Sequence, residues 1–271
     1  MNTKEKIIEK LKELTNHKHI EILTKGNSAI WSALQVAKKE VLIPEEGGWL
    51  TYLQYPKKLG LKLTEVKCYD AILDLSDLKE KSKTADVLLY ENPGGYHAEQ
   101  PIKEIHQICQ KNNCLVILDV SGGIGTKLCD GQRVDIIIGS FGRWKPINAE
   151  VGGFVSSNNQ ELFEEMKHSF KILEGEENFK TILEKINNLP NRINYLLTKR
   201  KEVINELKKL DIKKIINRDH LGFVVIVSFE NEEEKEKIIN YCKTNNLEYT
   251  ECPRYIRLNK KAISIEIKRL S

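Results

Sequence analysis

The sequence has no long apolar run and no CxxC pair of cysteines. No uninterrupted stretch reaches the roughly 18 apolar residues of a membrane-spanning helix, and the lysine- and glutamate-rich start has no signal-peptide core. The six cysteines include Cys109 and Cys114, but no histidine follows at ligand spacing, so we expect no metal site. We therefore expect free thiols in a reducing compartment and a cytoplasmic protein.

Charge of one sign is not concentrated anywhere in the chain. The net charge is +4, and lysines and glutamates are interleaved along the helical stretches. Proteins that bind nucleic acid gather Lys and Arg on one face, so this distribution argues against a nucleic-acid partner, and the lack of a spanning run argues against a membrane. The 271 residues, 40% of them apolar, suffice for one large domain and a smaller one.

Short apolar strands alternate with amphipathic helices through the first part of the chain. Helices are predicted at 3–14 and 100–112, and strands at 20–24, 41–43, 86–90, 114–119 and 134–138. This alternation predicts a mostly parallel sheet with helices on both faces, which is a three-layer α/β domain. We assign it residues 1–157, of which 1–16 form a helix able to pack on the second unit.

The rest of the chain, residues 158–271, has a different texture. Its pattern predicts helices at 159–173, 177–188, 191–210 and 231–245, and strands at 223–228, 247–251, 255–258 and 262–267. We expect a helical linker that leads into a small C-terminal α+β domain.

A lysine follows the last strand of the predicted large domain. The apolar residues 134–138 lead into a polar turn that contains Trp144 and Lys145. Desolvation beside a buried strand favours the neutral amine, which is the form that attacks a carbonyl to give a Schiff base. A lysine taken alone is most often a solvated surface charge, so this interpretation depends on the neighbours of Lys145.

The preceding apolar strand ends in a carboxylate, Asp119, which lies 26 residues before Lys145. The carboxyl ends of parallel strands meet at one edge of a sheet, so the two side chains are expected to lie close together. Pyridoxal 5′-phosphate (PLP) is a cofactor that needs such a pair, since a lysine forms a Schiff base with it and an aspartate keeps its pyridine nitrogen protonated.

The spacing around Lys145 resembles a known family. Ser140-Phe141, then Lys145 five residues after the serine, then Gly152-Gly153 is similar to the Ser-Phe-x-x-x-Lys…Gly-Gly segment of fold-type I PLP enzymes, most of all the DegT-like sugar aminotransferases. The resemblance covers about residues 20–160. It implies the PLP transferase fold of type I, a homodimer, and transfer of an amino group from a small-molecule amino donor to a carbonyl acceptor such as a sugar.

The residues from Lys25 to Ser28 precede an apolar-periodic run and predict the start of a helix. Amide hydrogens at a helix N-terminus bind phosphate, although an ordinary capped helix fits the same pattern. The segment resembles the family's Ser-Gly-Thr-Ala-Ala phosphate loop, with Lys25 in place of the serine and Asn27 in place of the threonine. The resemblance implies that Gly26, Asn27, Ser28 and Ser140 hold the PLP phosphate.

Two further segments have counterparts in the resembled family. Val120-Ser121-Gly122, after Asp119, is similar to the family's Asp-Ala-Ala-Gln run, which implies that Ser121 contacts the cofactor, but Gly122 lacks the family's glutamine or histidine side chain. Trp49 follows Gly47-Gly48 where the family has an aromatic residue over the PLP ring. A core tryptophan is the alternative for Trp49.

Four more residues are candidates for cofactor or substrate contacts. The resemblance implies that Asn92 bonds the PLP 3′-oxygen, although Asn-Pro is also a plain turn signal. His97 could contact substrate or relay a proton, but a loop histidine is more often a bystander. Arg254 and Arg257 could clamp an α-carboxylate, or they could be exposed structural arginines.

Two other functions remain open beside a PLP-dependent aminotransferase with Lys145 and Asp119 as catalytic residues. A PLP-dependent lyase or cysteine desulfurase would use Cys252 as sulfur acceptor, which requires a mobile cysteine that readily forms a thiolate. A regulatory or binding protein could keep the scaffold without turnover. The combination of Asp119, Ser140 and Lys145 argues against that second alternative, because a non-catalytic scaffold has no chemical need for the lysine.

Overall fold

The computed structural model describes residues 1–210, 212 and 214–271. The first strands are β1 (His19–Leu23), β2 (Glu40–Pro44), β3 (Lys62–Val66), β4 (Cys68–Tyr69), β5 (Ile72–Leu73), β6 (Val87–Glu91), β7 (Leu115–Asp119), β8 (Ile136–Ser140) and β9 (Gly153–Ser157). In the described residues the large sheet has the order β1-β9-β8-β7-β6-β2-β3, and β4 and β5 form a separate hairpin. β9 pairs antiparallel with both neighbours, and the other pairings are parallel. The predicted, mostly parallel sheet is confirmed.

Alternate residues of the central strands face opposite sides of the sheet. In β7, Val116 and Leu118 pack into one hydrophobic core, whereas Ile117 packs into a second core on the other side. β6 and β8 alternate in the same way. Because both faces are covered, these strands are apolar throughout rather than at every second position. The sheet is therefore the middle of three layers.

Helices cover both faces. They are α1 (Thr3–Thr15), α2 (Gly26–Ala33), α3 (Thr51–Lys58), α4 (Leu75–Lys81), α5 (Ile102–Lys111), α6 (Gln160–Lys167), α7 (Glu176–Asn187) and α8 (Leu189–Lys209). Buried side chains of α2, α3 and α6 belong to one core, and those of α1, α4, α5, α7 and α8 belong to the other. α1 packs against α7. Across the described ranges, no helix is both long enough and apolar enough to cross a bilayer.

A smaller sheet forms the C-terminal part. Its elements are β10 (Ile215–Ile216), β11 (Val225–Ser228), α9 (Glu232–Thr244), β12 (Tyr249–Cys252) and β13 (Ala262–Ile265). The strands pair antiparallel in the order β10-β11-β13-β12. One face packs on α8 and α9, and the other packs in a small cluster with Tyr96 from the loop after β6. The predicted small α+β unit is present, and a helical turn, Ile267–Arg269, follows its last strand.

The predicted strand at 255–258 is wrong. These residues form a loop because Arg257 is held by the larger part of the chain. Gly47 N donates to the carbonyl of Arg257 at 2.6 Å, and the guanidinium donates to the carbonyls of Glu45 and Gly47 at 3.0 and 3.2 Å. The carbonyl of Arg257 is therefore bonded to the larger part of the chain and not to a neighbouring strand.

The predicted helix over 159–173 is shorter in the structure. α6 ends several residues earlier, and the chain then turns back to the edge of β1. Leu173 N donates to the carbonyl of Ile22 at 3.0 Å, and Thr24 N donates to the carbonyl of Lys171 at 2.8 Å. Backbone pairing with β1 therefore replaces the last turn of the predicted helix.

A buried arginine ties α8 to the C-terminal sheet. Arg200 is only 6% exposed. Its guanidinium donates to the carbonyls of Val224, Arg218 and Asn217 at 3.0, 3.1 and 3.1 Å. Three bonds from one charged group therefore fix both ends of the segment that connects β10 to β11 against the helix.

We predict that Arg200→Ala lowers the free energy of unfolding by about 2–4 kcal/mol, because it removes charge-assisted bonds and leaves buried carbonyls without donors. The matched control is Arg218→Ala, whose side chain is exposed and whose backbone carbonyl is kept. Its effect should stay within about 0.5 kcal/mol. Urea unfolding measures both, and equal effects of the two variants would contradict the assigned role of Arg200.

Candidate active site

A cavity of about 530 Å³ lies where the carboxyl ends of β6, β7 and β8 meet the C-terminal sheet. The start of α2, the three strand ends and the turn after β8 line it on the side of the large sheet. β12, the loop after it and the Ile267–Arg269 turn line it on the other side. The volume is that of a typical small-molecule site, and a site between two structural units is a common arrangement.

Asp119 is the last residue of β7 and lines the cavity with only 4% of its surface exposed. The Tyr52 hydroxyl donates to its Oδ2 at 2.8 Å, and Ser121 N donates to its Oδ1 at 2.8 Å. Burial, together with the neighbouring Asp119, raises the pKa of Tyr52 well above its ordinary value, so the phenol keeps its proton as a donor. These two bonds fix the carboxylate at the cavity wall.

Lys145 lies in the turn after β8 and lines the same cavity. Its amine donates a hydrogen bond to the Tyr96 hydroxyl. Burial lowers the pKa of Lys145, and the negative charges of Glu91, Asp119 and Glu266 oppose that effect. A lowered pKa increases the neutral fraction of the amine, which is the form that adds to carbonyls. The structure thus brings the two predicted catalytic side chains into one cavity.

The N-terminal end of α2 lines the cavity as well. Lys25 precedes the helix in an extended conformation. Within the described residues no side chain caps the helix, so the amide hydrogens of Gly26 and Asn27 have no side-chain acceptor, whereas Ser28 N donates to the carbonyl of Lys25 at 3.0 Å. A Cβ at Gly26 would lie 2.6 Å from Cβ of Ser140, so only glycine lets the helix start approach the end of β8. Ser140 N donates to Ser121 Oγ at 2.9 Å. Lys25, Gly26, Asn27, Ser121 and Ser140 therefore meet at the cavity wall.

Trp49 borders the cavity and is 40% exposed, so it is not a core residue. Its indole Nε1 donates to Asn27 Oδ1 at 3.1 Å. The amine of Lys145 lies 5.8 Å from the centre of the indole ring. This hydrogen bond holds the ring beside the start of α2, where its face is available to a planar group.

Two predicted cofactor contacts are buried outside the cavity lining. Asn92 donates to the carbonyl of Leu128 at 3.3 Å and accepts from Gln100 N at 3.1 Å. Ser28 pairs with the hydroxyl of Thr24 at 3.0 Å. Both side chains are committed to internal hydrogen bonds, so the structure does not support a cofactor contact for either.

The predicted substrate contacts also lie outside the cavity lining. His97 is fully buried, and burial lowers its pKa to about 3, which keeps it neutral. Arg257 is held by the backbone carbonyls described above and by Glu65 at 2.8 Å. Arg254 is exposed, with its guanidinium 5.1 Å from the centre of the Tyr255 ring. The structure therefore does not bring the two arginines of the predicted clamp to the cavity, and the clamp stays a prediction.

Sequence reasoning missed Glu91, which lines the cavity as the last residue of β6. It is 6% exposed and stands opposite Asp119 in the parallel register. Its Oε2 accepts from Gly95 N at 3.0 Å. Burial and then the charge of Asp119 raise the pKa of Glu91 to about 7, against the opposing effect of Lys145. A carboxylate at the end of an apolar strand was the available signal, the same one that identified Asp119.

The C-terminal turn brings charged side chains to the cavity that could not be placed there from the sequence alone. Lys268 is 8% exposed and pairs with the buried carboxylate of Glu266. Arg269 pairs with Glu248 at 2.7 Å, and its guanidinium lies 4.2 Å from the centre of the Trp144 ring. Glu266, Lys268, Arg269 and Trp144 all line the cavity. With Lys25 and Lys145, Lys268 is the third lysine that lines the cavity.

Cys252 does not fit the role of a sulfur acceptor. It is 4% exposed at the end of β12 and does not line the cavity. Burial raises the pKa of its thiol to about 12, so the reactive thiolate is disfavoured. The structure therefore gives no support to the desulfurase alternative through this residue.

We predict that Glu91 makes stability depend on pH. An unfolded glutamate titrates near 4.5, and folded Glu91 near 7, so the unfolded chain releases this proton first as the pH rises. The contribution of Glu91 to the free energy of unfolding is complete below pH 4.5. It falls by up to about 3 kcal/mol as the pH rises from 4.5 to 7. In the cofactor-free protein, the free energy of unfolding of Glu91→Gln should therefore rise relative to that of the wild type between pH 4.5 and pH 7. A difference that stays constant with pH would contradict the prediction.

Solved structures with a similar fold include the following three proteins. NtdA from Bacillus subtilis with bound PMP matches with a TM-score of 0.80 and 15% identity, over 98% of this chain and 72% of that chain. The histidinol-phosphate aminotransferase of Clostridium acetobutylicum matches with a TM-score of 0.75 and 16% identity, over 97% of this chain and 84% of that chain. The apo cysteine desulfurase of Thermococcus onnurineus NA1 matches with a TM-score of 0.72 and 13% identity, over 97% of this chain and 78% of that chain. At these identities the likeness establishes the fold, which is PLP fold type I.

Sequence comparison identifies the family. A search of curated proteins gave no match. A model of the MJ1341 family C-terminal domain matches residues 194–271. A model of the DegT/DnrJ/EryC1/StrS aminotransferase family matches residues 2–186, about two thirds of the chain, which confirms the resemblance seen around Lys145. The chain therefore belongs to the DegT/DnrJ/EryC1/StrS aminotransferase family.

Proposed function

We propose that this chain is a PLP-dependent aminotransferase in which Lys145 holds the cofactor covalently. The observation that carries the proposal is the meeting of Lys145, Asp119 and the first turn of α2 in one cavity. Family membership supports it, and so does the fold shared with an enzyme solved with PMP. The reaction would move an amino group between an amino acid and a keto or aldehyde substrate, such as a sugar.

The cavity wall has the donors that a phosphate group needs. Gly26 and Asn27 open α2, where amide hydrogens and the positive end of the helix dipole favour an anion. The Ser140 side chain lies against Gly26, and Lys25 adds a positive charge where the family motif has a serine. We assign the phosphate of PLP to these four residues.

The remaining wall fits the ring of the cofactor. Asp119, fixed by its two hydrogen bonds, would hold the proton on the pyridine nitrogen. The Trp49 indole, 40% exposed and held by Asn27, would cover one face of the ring. When bound, PLP supplies an electron sink for the carbon that bears the amino group.

Lys145 would have two tasks in turnover. Its Nζ would hold the cofactor before the amino donor enters. Once displaced, the same Nζ would take a proton from the carbon that bears the donor's amino group and deliver it as general acid and base. Burial lowers the pKa of Lys145 and so favours the neutral amine for both tasks. The homodimer implied by the resemblance also stays a proposal.

We predict that the purified protein with added PLP shows a visible absorbance band that borohydride removes. Lys145→Ala should fold and show no such band, because the amine that binds the cofactor is missing. The control is Lys199→Ala, which removes a surface lysine that pairs with Glu202 at 2.7 Å and should keep the band.

A Lys145→Ala protein that retained the borohydride-sensitive band would contradict the assignment of the lysine. A wild-type protein that formed no band at saturating PLP would contradict the proposed function as a whole. Either result is read from the spectrum and does not require a known amino donor.

A further inference from the structure

Tyr96 lines the cavity, yet neither the motif nor the family resemblance pointed to it. It lies in the loop after β6 with φ +65°, which is uncommon for a tyrosine. Tyr96 N donates to the carbonyl of Pro93 at 3.1 Å, and its own carbonyl accepts from Phe223 N at 2.8 Å. The backbone of Tyr96 is thus fixed by a turn within its own loop and by the C-terminal part.

The ring of Tyr96 fills the space beside Gly122. A Cβ at Gly122 would lie 2.8 Å from Cε1 and 2.9 Å from Cδ1 of the tyrosine, closer than real Cβ atoms approach. Gly122 is the position at which the resembled family has glutamine or histidine. The glycine and the tyrosine are therefore one feature, since the ring stands where a side chain at 122 would have to go.

The hydroxyl of Tyr96 reaches the amine of Lys145. Lys145 Nζ donates to it, and in the described residues this is the one hydrogen bond that the hydroxyl makes. The amines of Lys145 and Lys268 lie 4.7 and 4.6 Å from the ring centre. Burial, together with the charges of Glu91 and Asp119, raises the pKa of Tyr96 well above its ordinary value, so the phenol is a neutral partner for the amine.

We propose that Tyr96 is a positioning residue for Lys145 and occupies the space that the missing side chain at Gly122 leaves open. The inference rests on the proposed function, because it assigns Lys145 as the reacting amine. A lysine side chain has four rotatable bonds, and fixing its amine near the point of attack removes part of the entropy cost of the reaction. The Tyr96 hydroxyl provides that restraint, and its backbone is held independently of the cavity.

Apolar packing alone does not account for a tyrosine at this position. The ring belongs to a cluster that includes Cys252, Ile256 and Ile226 of the C-terminal part. A phenylalanine would keep these contacts and the fit against Gly122. The hydroxyl is the feature that phenylalanine lacks, which makes Tyr96→Phe a selective test.

The experiment follows the rate at which the cofactor-free protein forms the borohydride-sensitive band after mixing with PLP. Tyr96→Phe should form it about tenfold more slowly than the wild type, the effect of one hydrogen bond to a charged or reacting group. Its stability should change by less than about 1 kcal/mol. The control is Tyr69→Phe, which alters a tyrosine 71% exposed on the surface and should load at the wild-type rate.

A second set of variants tests the pairing with Gly122 and does not depend on the folding of Tyr96→Phe. Gly122→Ala forces the ring away and should also slow loading. Gly122→Gln should be severely impaired alone, whereas Tyr96→Ala combined with Gly122→Gln should load faster than Gly122→Gln, because removing the ring makes room for the new side chain.

The outcomes separate this inference from the proposed function. A wild-type protein that loads PLP, together with Tyr96→Phe or Gly122→Ala that loads equally fast, overturns the role of Tyr96 and leaves the function intact. Purely additive effects of Tyr96→Ala and Gly122→Gln overturn the pairing. A wild-type protein that forms no band removes the proposed function, and the inference with it.

Discussion

The site depends on the parallel pairing of β6, β7 and β8. Because the three strands end at the same edge of the sheet, the ionisable side chains at or just after their ends lie together there. Glu91 and Asp119 stand opposite each other in the register, and neighbouring strands are only about 4.8 Å apart. Two buried carboxyl groups so close need positive partners, and Lys145 and Lys268 line the same cavity. Burial then tunes this group of charges, since it lowers the pKa of Lys145 and raises that of Glu91 to about 7.

Glycines decide which side chains can approach these charges. Gly26 lets the start of α2 come against Ser140, so that the anion-binding end of a helix and a strand end share one wall. Gly122 leaves room for the ring of Tyr96. The hydroxyl of this tyrosine, which lies 49 residues before Lys145 in the sequence, reaches the lysine amine. In both places a missing side chain is the condition for a contact, which is why conservative substitutions there are expected to affect the site rather than only the fold.

Local signals made much of this predictable. The three-layer sheet followed from apolar strands separated by amphipathic helices, and Lys145 and Asp119 from their places just after such strands. Asn92 was predicted to contact the cofactor, but side chains alternate at a strand end, and Glu91, one residue earlier, is the residue that lines the cavity. Tyr96 and the C-terminal charges could not be predicted, since contacts between segments distant in sequence position them. The loop before β13 was missed for the same reason.

The most direct test of the central claim is the location of the covalent adduct. The wild-type protein is loaded with PLP, reduced with borohydride and digested, and the modified lysine is identified by mass spectrometry. Lys25 and Lys268 also line the cavity, so the measurement has a built-in comparison. The account predicts the added mass on the peptide that contains Lys145 and not on the one that contains Lys268. Modification of Lys268, or equal modification of many surface lysines, would contradict it.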